Sequence, residues 1–238
     1  MKLFLLLGAL SALLLGTSPA EAQKIIEKKA PLSSKQRLVL DLQQASSIQI
    51  KGGSGKEVAV RASVTINQNK LNDALLLTLN TQGDEVRVKS AFDKEMLRNS
   101  KEADCPDGEG YSTWNDTGDN GKGSYRLCAR IDYVIEVPAG ATVQVNTISG
   151  NIEVKGLNGP LEAKSISGFV DVSWPAAKGA EVALKTITGE VYTNQDIALN
   201  GNKNNSPVGY QVRGTLGSSG PAIRLESISG DVFFRKQN

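Results

Sequence analysis

The chain contains no histidine. That absence removes Ser-His-Asp and Cys-His catalysis and every histidine-based metal site. Only two cysteines occur, too few for a four-cysteine zinc centre. No Walker loop and no dinucleotide fingerprint leads from a strand into a helix, so no cofactor is expected. Neither sign of charge dominates: 27 Lys and Arg stand against 25 Asp and Glu. A single-sign field of the kind nucleic-acid binders carry is therefore missing, and nucleic acid is not an expected partner. Beyond residue 22 no apolar run reaches the roughly 18 residues of a spanning helix, so no transmembrane anchor is expected in the mature chain.

What is present begins with a targeting segment. Lys2 precedes an apolar stretch from Leu3 to Leu15, and Pro19-Ala20-Glu21-Ala22 supplies an Ala-x-Ala ending. Residues 1–22 read as a secretory signal peptide with cleavage expected after Ala22, leaving 216 residues (238 − 22). The apolar stretch is short for an uncleaved anchor. No cysteine follows it, which argues against lipidation. The product is expected to be exported: periplasmic, cell-surface or secreted.

One twelve-residue pattern then organises the chain. Val143 to Val154 reads VQVNTISGNIEV, Leu161 to Val172 LEAKSISGFVDV, Val182 to Thr193 VALKTITGEVYT, and Ile223 to Phe234 IRLESISGDVFF. Apolar residues alternate on either side of a [Ser/Thr]-Ile-[Ser/Thr]-Gly core, where the period of two breaks. The chain turns a corner there, and Gly150, Gly168, Gly189 and Gly230 suit it. The glycines are spaced by 18, 21 and 41 residues, and 41 is about two steps of 20, the signature of stacked units. The favoured reading is an all-β, β-solenoid-like stack of short strands with the corner isoleucines lined up inside. The alternative is a meander in which Ser149-Gly150 is a hairpin turn, although hairpins prefer Asn-Gly or Gly-x.

Along the rest of the chain, residues 23–36 are polar and read as a lead-in. Residues 37–238 form the expected β-solenoid-like domain. Leu38, Leu40 and Leu42 suggest a strand. Ile48 and Ile50, then Gly52 to Gly55, then Val58 and Val60 give a looser strand–corner–strand unit, and Leu75 to Val88 another around Gly83. No long helix is expected. Tyr210, Val212 and Leu216 suggest a degenerate rung. Residues 91–130 interrupt the plan as a polar insertion. In an exported protein its Cys105 and Cys128 are expected to form a disulfide.

Candidate sites are few. The repeat hydroxyls at Thr147, Ser149, Ser165, Ser167, Thr186, Thr188, Ser227 and Ser229 read as corner residues bonding backbone, not as nucleophiles. Lys164 and Ser165 alternate, so they point to opposite faces and make no dyad. Charges such as Glu153, Glu162, Lys164, Asp171, Lys185, Glu190, Arg224, Glu226 and Asp231 should face solvent in mixed columns. The insertion is the leading candidate interaction surface: Tyr111, Trp114 and Tyr125 can stack on sugar or dock protein, with Asp116 and Asp119 nearby. Packing of those aromatics around the disulfide is the plainer reading. Asp116 and Asp119 offer oxygen ligands for calcium but lack EF-hand spacing. No catalytic residue and no metal site is assigned.

The segments TISGNIEV, SISGFVDV, TITGEVYT and SISGDVFF, with the lead-in IEVPAGATVQV, resemble the putative-adhesin domain of bacterial envelope proteins. The resemblance spans about residues 130–238 and fades over 37–90; the cysteine insertion departs from it. It implies a stacked β fold and an adhesion role, with no active site to transfer. The function expected is a non-enzymatic envelope protein whose partner is a surface glycan or another envelope protein. Alternatives are a periplasmic structural or sensing component that binds a partner by strand addition, and a carbohydrate-active enzyme with two facing carboxylates.

Overall fold

A computed structural model describes residues 23–98, 100, 104–105, 111–115, 124–199 and 209–237. The expected signal peptide lies outside them. In chain order the strands are β1 (Lys24–Pro31), β2 (Arg37–Asp41), β3 (Ser47–Gly53), β4 (Glu57–Ile66), β5 (Leu75–Gln82), β6 (Glu85–Phe92), β7 (Tyr111–Asn115), β8 (Ser124–Pro138) and β9 (Thr142–Thr147). They continue with β10 (Asn151–Lys155), β11 (Leu161–Ser165), β12 (Val170–Trp174), β13 (Ala180–Thr186), β14 (Val191–Thr193), β15 (Ile197–Leu199), β16 (Tyr210–Leu216), β17 (Ala222–Ser227) and β18 (Val232–Lys236). Helical structure is short: a 3₁₀ turn at Asn72–Ala74, α1 (Lys94–Leu97), capped by Asp93, and 3₁₀ backbone at Asp104. No described helix is long and apolar enough to cross a membrane.

The strands form two nine-stranded mixed sheets. One runs β1-β4-β8-β3-β10-β12-β18-β14, with β7 paired to β8; the other runs β15-β16-β13-β17-β11-β9-β2-β6-β5. Each repeat sends its first strand into the second sheet, turns at the glycine, and sends its second strand into the first. Copies pair in parallel and in register: Val143 with Leu161, Leu161 with Ile223, Ile223 with Val182. On the other side Ile152 pairs with Val170 and Val170 with Val232. The meander is thereby excluded, because β9 and β10 belong to different sheets.

The units do not stack in chain order. From one end they run 182–193, 223–234, 161–172, 143–154, and then a fifth unit, 38–50, which pairs Leu38 with Val143 and Ile48 with Ile152. A coil that simply follows the sequence is therefore not formed. The segment 223–234 lies between two earlier copies, with β17 paired to β11 and β13 and β18 paired to β12 and β14.

Three further readings are corrected. Residues 24–31 are not a lead-in: they are β1, paired along its whole length with β4. Ile48–Val60 is not a corner unit, since β8 separates β3 from β4. The genuine copy, 38–50, has Ala45 at the glycine place, packed 3.0 Å from where a Gly150 Cβ would lie. Residues 210–216 are not a rung either; β16 runs antiparallel to β13 and covers it. Antiparallel strands thus close three of the four sheet margins, and the fourth is β14, which runs parallel to β18.

The core lies between the sheets. Val143, Val145, Ile152 and Val154 are buried with their equivalents in the other copies, Phe234 among them, except that Val191 is half-buried and Thr193 exposed on β14; Tyr133 and Trp174 join this core. The corner isoleucines are not lined up inside. Ile148 and Ile166 are 37% and 39% exposed, and Ile187 and Ile228 are half-buried. Alternation explains the reversal: with Val143 and Val145 inward, the next inward position is Thr147, and Ile148 must face out. Burial pushes the Tyr133 phenol up to about 12, with the Ser90 hydroxyl opposing in part.

Candidate functional site

At the corners the buried side chains are hydroxyls. Thr147, Ser165, Thr186 and Ser227 are all nearly inaccessible to solvent. Ser165 Oγ donates to Gly150 O at 2.9 Å and accepts from Gly168 N at 2.9 Å. Ser227 Oγ donates to Gly168 O at 2.8 Å and accepts from Gly230 N at 2.9 Å. Thr186 Oγ1 donates to Gly230 O at 2.8 Å and accepts from Gly189 N at 3.1 Å. Each of these three hydroxyls thus satisfies a carbonyl of the neighbouring unit and an amide of its own, in the spatial order 165, 227, 186, while Thr147 Oγ1 accepts from Gly150 N at 3.3 Å. The same corners bring glycines into backbone contact: a Cβ on Gly230 would lie 2.6 Å from Gly168 C, and one on Gly189 2.6 Å from Gly230 C.

This column is structural, because its hydroxyls are buried and fully engaged. Ser227→Ala is expected to lower stability by about 1–3 kcal/mol, since Gly168 O and Gly230 N lose their partner in a buried setting. Ser227→Thr should recover most of the loss, as Thr186 fills the same role. Urea unfolding midpoints of the three proteins check this.

The outward side chains form two faces. On the β9–β11–β17–β13–β16 face, charges alternate in rows. Glu226 Oε1 sits 3.6 Å from Lys164 Nζ and 3.3 Å from Lys185 Nζ. A shallow concavity of about 770 Å³ spans this region, rimmed by Glu162, Arg224 and Arg213. Further along, Glu85 contacts Arg87 and Arg37. Its carboxyl is held below the usual range by the Arg87 hydrogen bond, which burial opposes and the Arg37 hydrogen bond supports.

The other sheet presents aromatics. The third residue after each corner glycine faces out, which aligns Asp171, Phe233 and Tyr192 on adjacent strands. Tyr192 and Phe233 stack with centroids 5.1 Å apart and planes 12° apart. Phe169 meets Phe233 edge-on at 6.2 Å and 87°. The Arg235 guanidinium lies 5.6 Å from the Phe233 centroid and forms a two-pronged pair with Asp171, its Nε 2.9 Å from Oδ1. Asp171 is consequently buried rather than solvated. Tyr192 is 49% exposed. Sequence reading missed this cluster, although the signal was available: aligning the repeats on glycine puts Phe233 and Tyr192 at one outward position.

The insertion is shorter than 91–130. Residues 91–92 end β6, and 124–130 open β8, where Arg130 and Ala129 pair with Thr65 and Ile66. Tyr111 and Trp114 lie on β7, opposite Cys128 and Tyr125 of β8; Asp116 and Asp119 lie outside the described residues. Cys105 and Cys128 form a disulfide with their Cα atoms 5.6 Å apart. Buried Asn67 adjoins it, accepting from Cys128 N at 3.0 Å. The Tyr111 region and the Tyr192 cluster are on separate elements, so the structure does not join them into one site. Among the described residues, no group of three or more acidic or thiol side chains is placed to hold a metal ion.

With this geometry in view, comparison with solved structures is informative about the fold. A putative cell adhesion protein from Clostridium sporogenes superposes with a TM-score of 0.52 at 11% identity, covering 91% of this chain and 100% of its own. A putative adhesin from Bacteroides fragilis covers similar shares at 9% identity, but with a TM-score of only 0.23. No family model and no curated protein matches the sequence. The chain therefore shares its fold with that putative cell adhesion protein.

Proposed function

We propose that this is a non-enzymatic, exported cell-envelope protein, an adhesin-like and solenoid-like stack that presents its outer faces for adhesion or envelope interaction. Residues 1–22 serve as its signal peptide. The observation that carries the reading is the exposed aromatic cluster around Tyr192 on a rigid sheet. In-register pairing fixes such side chains in rows at about 4.8 Å spacing, a geometry suited to repeated weak contacts. The fold shared with the Clostridium protein supports the reading, and so does the disulfide, which belongs to oxidising compartments.

Surface protease digestion of intact cells, followed by fractionation, tests it. The reading expects the chain at the cell surface and expects weaker cell attachment in its absence. A chain wholly protected in the periplasm would overturn it. That result would favour a second reading, suggested by β14: a three-residue strand at the margin of its sheet. There the chain would bind another envelope protein by strand addition.

A further inference from the structure

Resting on the proposal of a presented envelope surface, we infer that Tyr192 is a stacking platform for one pyranose of a neutral, β-1,4-linked glycan of glucose or N-acetylglucosamine type. Within the aromatic column, Phe233 is enclosed by Phe169, Arg235 and Tyr192 itself. Tyr192 is the outermost member, because β14 is the last strand of its sheet. One side of its ring is taken by Phe233, and the ring remains half exposed. An aromatic face carries a negative quadrupole, which attracts the polarised C–H bonds of a sugar. Equatorially substituted pyranoses offer the flat C–H face that such a ring accepts.

The cations beside the cluster are already paired, so the rim does not favour an anionic ligand. Lys236 Nζ is committed to Asp196 at 3.0 Å, and Arg235 to Asp171. Asn194 Oδ1 accepts from Lys236 N at 2.7 Å, which leaves its amide N–H groups for a hydroxyl oxygen. Glu190, exposed two residues before Tyr192, supplies an acceptor. Of the three rings in the cluster only Tyr192 is exposed, Phe169 and Phe233 being half-buried. That matches a single sugar far better than the roughly 800 Å² per partner of a stable protein interface.

Titration calorimetry of the chain from Gln23 with cellohexaose and chitohexaose tests the site, with a dextran oligomer as control. At least one β-1,4 hexamer is expected to bind and dextran is not. Tyr192→Ala should weaken binding about tenfold, the scale of one aromatic stack. Tyr192→Trp, which widens the platform, should bind about two- to threefold tighter and does not rely on a loss that misfolding could mimic. No binding of either hexamer at millimolar concentration, or wild-type affinity in Tyr192→Ala, would overturn the inference. Reduced cell attachment by Tyr192→Ala without hexamer binding would also overturn it, in favour of a protein partner. A periplasmic location with intact hexamer binding would instead overturn the surface reading and leave this site standing.

Discussion

Gly168→Ala is expected to destabilise the protein by about 3 kcal/mol or more, and Gly168→Val to prevent folding. A Cβ at this position would overlap the carbonyl oxygen of Gly150, 2.5 Å from its carbon and 2.8 Å from Asn151 N. All three are backbone atoms, so no side chain can swing aside. The carbonyl cannot retreat freely, because it accepts from Ser165 Oγ. Nor can Gly168 move the other way, since its own carbonyl accepts from Ser227 Oγ. Gly53 supplies the control: a Cβ there meets nothing within 4 Å, so Gly53→Ala should stay within about 0.5 kcal/mol. Urea denaturation followed by circular dichroism decides the matter. A wild-type midpoint for Gly168→Ala would show that the corners are looser than their contacts imply.

Trp174→Ala carries the other large effect, about 3–5 kcal/mol. Trp174 is fully buried and among the largest side chains of the core. It ends β12, where the chain leaves the sheet for the return turn. Its Nε1 donates to Lys178 O at 3.1 Å, and its own carbonyl accepts from Gln195 Nε2 at 3.0 Å. Truncation would open a cavity and strand the Lys178 carbonyl. Trp174→Phe should retain much of the packing and lose mainly the hydrogen bond, at about 1–2 kcal/mol. The ranking Ala below Phe below wild type, read from denaturation midpoints, is the expected outcome. Equal midpoints for Ala and Phe would mean that the turn, rather than the ring, sets stability there.

Much of the local structure was legible in the sequence, for reasons visible in single residues. Alternation at Val143 and Val145, and again at Ile152 and Val154, marked strands whose inward positions are buried. The break between them marked a change of sheet. The corner isoleucine misled because an apolar residue suggests burial; counting by twos from Val145 puts Thr147 inside and Ile148 outside. The unit at 38–50 was hidden by Ala45, which fills the glycine place. Stack order was not legible at all, since near-identical copies offer one another equivalent edges. The aromatic cluster was half legible. Its outward register follows from the repeats, but the ring stacking between Tyr192 and Phe233 depends on which copies become neighbours.

That neighbour relation bears on how the protein reaches its final form. Synthesis runs from the amino terminus, so 143–154, 161–172 and 182–193 emerge before 222–236. The last of these must lie between the second and the third. Until it arrives, β11 and β12 on one side, and β13 and β14 on the other, carry backbone donors and acceptors with nothing to meet them. The nascent chain therefore passes through a stage with two raw, mutually attractive margins, and premature contact between them would shut out the segment that belongs in the gap. Assembly that waits for the late strands, or a helper that shields those margins meanwhile, is what this threading demands of the cell.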